Sequence, residues 1–133
     1  MRLTAKTRQK SRGFTLVELL IVTILIGLLA AIALPKFVNT RQKSMLAAMK
    51  SDLRNLATAQ ENYFTTYYTY SGNANNLDFN ISESVTITVA GADDSGWRAT
   101  ATHAGAPDKT CEIYYGDASG ATIANHEGSV ECN

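Results

Sequence analysis

Histidine, cysteine and proline each occur only twice in this 133-residue chain, and tryptophan once. A structural zinc wants four ligands at tight spacings, and two cysteines with His103 and His126 far apart do not supply them. Asp93, Asp94, Asp108 and Asp117 fall in turn-type sequence, where Asp bonds its own backbone, without a full oxygen-ligand spacing for calcium. No glycine-rich phosphate loop is present, and none of Ser71, Ser82, Ser84, Ser95, Ser119 and Ser129 sits in a nucleophile elbow. These absences point away from an enzyme, a metal and a cofactor.

Charge is missing from two stretches. Residues 1–13 hold Arg2, Lys6, Arg8, Lys10 and Arg12 but no acid. Residues 14–34 hold one charge, Glu18, in a run of 21 residues. About 20 apolar residues in a helix cross the hydrocarbon of a bilayer, and a basic flank keeps the N-terminal side in the cytoplasm. The whole chain is formally neutral with twelve basic and twelve acidic residues; without residues 1–13, seven basic residues face those twelve acids. An acidic body argues against general binding to nucleic-acid backbones, which rewards clustered Lys and Arg.

Glycine and proline are absent from residues 36–70. Met45, Met49, Leu53, Leu56, Ala59, Tyr63 and Tyr67 advance in steps of three or four, one face of a helix. Lys43, Lys50, Asp52, Arg54, Asn55 and Glu61 lie mostly off that stripe. Pro35 removes one backbone donor and is expected to bend the helix, not end it. The reading is one helix from about residue 15 to about residue 68, on the order of 80 Å at 1.5 Å per residue.

Beyond the loop composition of residues 71–76, strand patterns appear. Ser84–Ala90 and Trp97–His103 alternate with a period of two, Cys111–Tyr115 is a third strand, and Ala121–Ala124 a weaker fourth. Short connections predict an antiparallel meander. One face would cover the helix stripe, and the other would meet solvent through Thr86, Thr88, Arg98, Thr100 and Thr102. The expected class is α+β: a long N-terminal helix, its first half membrane-spanning, packed by its C-terminal half on a small antiparallel sheet. The aromatic cluster Tyr63, Phe64, Tyr67, Tyr68 and Tyr70 reads as helix–sheet packing. Cys111 and Cys132 are either two buried thiols or, in an exported domain, a disulfide closing about 20 residues and worth roughly 3 kcal/mol.

The run Arg12-Gly13-Phe14-Thr15-Leu16-Val17-Glu18 and the apolar residues after it closely resemble the processing and assembly motif of type IV prepilins. The motif covers about 25 residues; the rest matches only in its order of helix, loop, sheet and C-terminal cysteine pair. The resemblance implies cleavage between Gly13 and Phe14 by a prepilin peptidase, with N-methylation of Phe14. It implies assembly through Glu18 and the helix-bending Pro35, with Gly27 also at a position frequent in the family. It divides the chain into a cleaved leader (1–13), a transmembrane and filament-core half-helix (14–34), an amphipathic half-helix (35–68) and a loop, sheet and C-terminal region closed by Cys111–Cys132 (69–133). The implied partners are copies of the chain in a helical filament, the peptidase, the pilus assembly machinery of the inner membrane, and lipid before assembly. The implied location is the inner membrane first and an extracellular pilus afterwards.

Glycine at the cut lets a peptidase approach the backbone. Cutting exposes an α-amino group on Phe14 that is largely charged at neutral pH. A carboxylate in the membrane costs roughly 2.5–3.5 kcal/mol on insertion scales, which favours a cationic partner. The resemblance implies that this partner is the new amine, usually of a neighbouring copy. Two other readings compete: a pseudopilin of type II secretion, and a monomeric exported binding domain on a membrane anchor. Ala31-Ile32-Ala33 would fit ordinary signal cleavage, but the apolar run exceeds a usual signal core and carries a carboxylate. Asn80-Ile81-Ser82 fits a glycosylation triplet, read as coincidence beside a bacterial processing motif.

Overall fold

The computed structural model describes residues 13–118 and 120–133. The expected leader therefore lies outside the described residues except for Gly13. Packing divides the chain into two units, the first ending at Val38 and the second covering Asn39–Asn133. Helix α1 (Leu16–Tyr67) contributes to both and passes through Pro35 without ending. It stops because Tyr68 turns into the left-handed region, at φ 56°. The Tyr68 N–H still donates to the Phe64 carbonyl at 2.8 Å, the single closing bond of a left-handed helix cap.

In the second unit, Met49, Leu53 and Leu56 on α1 are fully buried, and Met45, Leu46 and Tyr63 partly so. The predicted stripe ends one turn early, since Tyr67 is exposed and sets its ring tilted against Tyr63, centroids 4.4 Å apart. Two polar residues are buried where apolar periodicity could not place them. Asp52 accepts from the Ser82 N–H at 2.8 Å and the Ser82 hydroxyl at 2.9 Å. Gln60 uses both ends of its amide on one residue, donating to the Ser71 carbonyl and accepting from the Ser71 N–H, each at 2.8 Å. Both tie the irregular stretch between helix and sheet back to α1. That stretch contains only the short 3-10 turn Ala74–Asn76.

The sheet is an antiparallel meander of β1 (Val85–Ala90), β2 (Gly96–His103), β3 (Ala106–Gly116) and β4 (Glu131–Cys132), ordered β1-β2-β3-β4. The register pairs Trp97 with Tyr115, Ala99 with Ile113 and Ala101 with Cys111. All of these lie in or against the core that includes Met49, Leu53 and Leu56. Alanine at 99 and 101 leaves space for the longer helix side chains. A chain of rings, Phe64, Tyr70, Trp97 and Tyr115, spans this core with centroid spacings of 4.7, 6.4 and 5.4 Å.

Two strand expectations are corrected. β3 begins at Ala106, not Cys111, because it extends to pair with His103 across a register shift at Thr102/His103. Ala121–Ala124 is not a strand; the fourth strand is Glu131–Cys132, paired with Cys111 and Glu112. The reason lies in Glu112. Its carboxylate accepts from the backbone N–H groups of Thr122, Ile123 and Ala124 at 2.8, 2.6 and 3.1 Å, taking donors that a ladder would need.

This loop also changes the outer face. Thr86, Thr88 and Thr102 are exposed as expected, but Arg98 and Thr100 are half-buried. The Arg98 guanidinium donates to the Gly120 carbonyl over them. At the adjoining sheet end, Gly116 takes φ 64°, and a Cβ there would collide with the Ser95 carbonyl. Cys111 and Cys132 are joined as a disulfide, so the region between them starts and ends on neighbouring strands.

Candidate functional site

The first unit presents an unusual surface. Each large apolar side chain from Phe14 to Val38 is between 46% and 83% exposed, on all sides of the helix. A helix that is apolar all round belongs in a large core or a membrane. Exposed apolar area of this extent marks a membrane or protein contact. By length and composition α1 can cross a membrane.

Glu18 lies at the start of this surface. Its carboxylate accepts from the Thr15 N–H at 2.9 Å and the Thr15 hydroxyl at 2.8 Å. In return the Glu18 N–H donates to the Thr15 hydroxyl oxygen at 3.2 Å. This is a reciprocal capping box, with Thr15 as the N-cap and Glu18 three residues on. It starts α1 at Leu16 and ties the carboxylate to Thr15, the residue that follows Phe14. The Thr-x-x-Glu spacing before an apolar run is the sequence signal for this cap, and Thr15 is a functional residue that apolar periodicity does not reveal.

Gly13 precedes the helix, and a Cβ there would meet nothing within 4 Å. The same holds for Gly27 within the helix. Packing in this structure therefore does not demand glycine at either position. Pro35 sits inside the helix. The remaining site residues, Cys111 and Cys132, belong to the sheet of the second unit and take no part in this surface.

The histidines serve locally. His103 Nδ1 accepts from the Gly105 N–H at 2.9 Å, and His126 Nδ1 lies 3.2 Å from Glu131. Among the described residues, no group of three or more His, Cys, Asp or Glu side chains is placed to hold a metal. Asp93 accepts from the Ser95 hydroxyl, the Ser95 N–H and the Gly96 N–H, which hold its carboxyl below its ordinary value. Glu131 is lowered likewise by His126 and Asn125. For Glu112, burial is the largest influence and pushes the carboxyl up. The three loop amides and the Arg98 charge outweigh it, so the group ends below its ordinary value.

The model of the prokaryotic N-terminal methylation motif matches residues 8–34, the basic flank, Gly13-Phe14, Glu18 and the apolar run together. The type IV major pilin protein PilA of Myxococcus xanthus (strain DK1622) is 44% identical over 70 residues, 53% of this chain and 32% of its own length. The N-terminal half of the chain is thus similar to that of a type IV pilin. The fimbrial protein EcpC of Eikenella corrodens is 42% identical over 65 residues, 49% of this chain and 40% of its own length. The type II secretion system core protein G of Pseudomonas aeruginosa is 27% identical over 71 residues, 53% of this chain and 50% of its own length. The chain thus spans about a third to a half of the lengths of these relatives. Of the matched motif, residues 16–34 lie on the exposed apolar helix; the match does not extend to the sheet of the second unit.

Proposed function

We propose that this chain is the structural, non-catalytic subunit of a type IV pilus, cut between Gly13 and Phe14 and stacked through its N-terminal helix. The observation that carries this is the apolar helix exposed on every side from Phe14 to Val38, with a single carboxylate at its head. Such a helix needs lipid around it before assembly and other apolar helices afterwards. A bundle of copies supplies the second environment. Because Gly13 answers no packing need in the fold, recognition by a prepilin peptidase gives its glycine a reason. The cut places a cationic amine on Phe14, N-methylated or not, four residues from Glu18. The amine of a neighbouring copy gives that carboxylate a partner in an apolar bundle and sets the register of an incoming subunit. Pro35 bends the helix within the packed fibre. The subunit waits in the inner membrane, is drawn up by the assembly machinery there, and ends at the cell surface, with the Cys111–Cys132 region outward.

The 27% match to a type II secretion core protein supports a second reading, a pseudopilin in a short periplasmic fibre. The 42–44% matches to pilus and fimbrial subunits favour the pilus. Cells producing the chain should carry filaments that shear from the surface and consist of it. A chain that stays wholly in the membrane fraction, with no surface filament, would instead mark an anchored binding domain.

A further inference from the structure

Charge is segregated along the second unit. Residues 39–54 hold Arg41, Lys43, Lys50 and Arg54 against one acid, Asp52, which is buried on Ser82. Residues 55–133 hold ten acids against Arg98 and Lys109. At 100° per residue, the spacings of seven and four place Lys43, Lys50 and Arg54 on one helix face. Glu61, seven residues further on, continues that face with the opposite sign. Among the described residues none of these three cations forms an ion pair; the ion pair seen is His126–Glu131.

The acids gather at the far end of the same helix. Asp94 lies in the β1–β2 turn and Asp117 follows β3, and the Asp117 N–H donates to the Ser95 carbonyl at 3.2 Å, so both occupy one end of the sheet. The Tyr70 N–H donates to the Asp93 carbonyl at 2.9 Å, which sets that end beside the C-terminus of α1. Glu127 joins it through the Gly116 N–H at 2.7 Å, and Glu61 through the Tyr70 hydroxyl at 3.1 Å. The C-terminal end of a helix is itself negative. From the centre of the basic face to this end is about 20 residues, or roughly 30 Å of helix.

We infer that the basic face Lys43–Lys50–Arg54 docks on the acidic sheet end of another copy displaced by roughly 30 Å along the helix. This rests on the filament reading above and adds a second determinant of stagger beside Glu18. Copies packed in register would set basic face beside basic face and acidic end beside acidic end, which repel. The staggered arrangement pairs both surfaces at once. Anionic lipid could also attract the basic face, but it would leave the acidic end without a counter-charge.

The test uses the full chain in cells that assemble it. One variant carries Lys43→Glu, Lys50→Glu and Arg54→Glu. A second carries Asp94→Lys and Asp117→Lys, whose side chains make no hydrogen bond among the described residues. Each variant alone should insert and be cut normally but yield at least about tenfold fewer sheared filaments, the effect of roughly 1.4 kcal/mol per contact. The combined variant should recover filaments in part, because Asp94→Lys and Asp117→Lys offset Glu61 and Glu127 and so remove the repulsion that Lys43→Glu, Lys50→Glu and Arg54→Glu would meet. Wild-type yield from either variant, or failure of the combined one to recover while each remains inserted and cut, overturns the inference alone. A loss traced to a depleted membrane pool assigns the basic face to lipid and overturns it too. Absence of filaments from the wild-type chain overturns the pilus reading and this inference with it.

Discussion

Glu18→Ala is expected to stop filament assembly while leaving the chain inserted in the membrane and cut. A carboxylate placed among apolar helices costs roughly 2.5–3.5 kcal/mol unless paired. Removing its pull on an amine should lower filament yield on the order of a hundredfold, at 1.4 kcal/mol per tenfold. The substitution also removes the capping box with Thr15, worth about 1 kcal/mol of helix stability. Glu18→Gln separates the two effects. Its amide oxygen still accepts from Thr15, so the cap survives, but the charge is gone. If charge pairing sets the register, Glu18→Gln should fail to assemble as completely as Glu18→Ala. Counting sheared filaments against the membrane pool of each variant decides it. Normal fibre yield from Glu18→Gln would restrict Glu18 to capping its own helix.

Glu112→Ala is expected to be the most damaging single change in the C-terminal loop. Glu112 is 1% exposed and holds three consecutive backbone amides. Truncation strands those donors, at a cost of about 3 kcal/mol, since each stranded donor costs on the order of 1–3 kcal/mol before the loop relaxes. Thermal unfolding of the detergent-held chain would show the loss, and amide exchange at Ile123 would speed first. The same group predicts a pH response. Its folded pKa lies below the ordinary 4.5, so ionised Glu112 stabilises the fold above the unfolded value. That contribution is lost as pH falls through the folded value. Stability should therefore decline on acidification below about pH 4.5, with Asp93 and Glu131 acting in the same direction. Glu112→Gln should flatten the decline; an unchanged acid profile would remove Glu112 from its cause.

The elements that were legible in the sequence are those with a repeating signal. Twenty-one nearly uncharged residues and an unbroken three-to-four spacing gave the helix to within a residue at each end, Leu16–Tyr67 against about 15–68. Strict alternation located β1 and β2. Single polar residues with tertiary partners were not legible. Asp52 lay off the apolar stripe and Gln60 carried no signal, because periodicity weighs only apolar residues, whereas their burial depends on Ser82 and Ser71, further along the chain. Ala121–Ala124 carried a weak strand pattern, but the competing acceptor, Glu112, comes from another strand. At the N-terminal helix the sequence exposed the apolar surface and its lone acid. It did not disclose that Glu18 already has Thr15 as a partner, although the capping spacing was there to be seen.

The most direct measurement is the mass of the subunit recovered from sheared filaments. Cutting at Gly13 predicts a mature chain that begins at Phe14, with or without one added methyl group, and retains the whole apolar run and the Cys111–Cys132 bond. A filament subunit that begins at Met1, or one cut after Ala33 and so stripped of its apolar helix, would contradict assembly through Phe14 and Glu18.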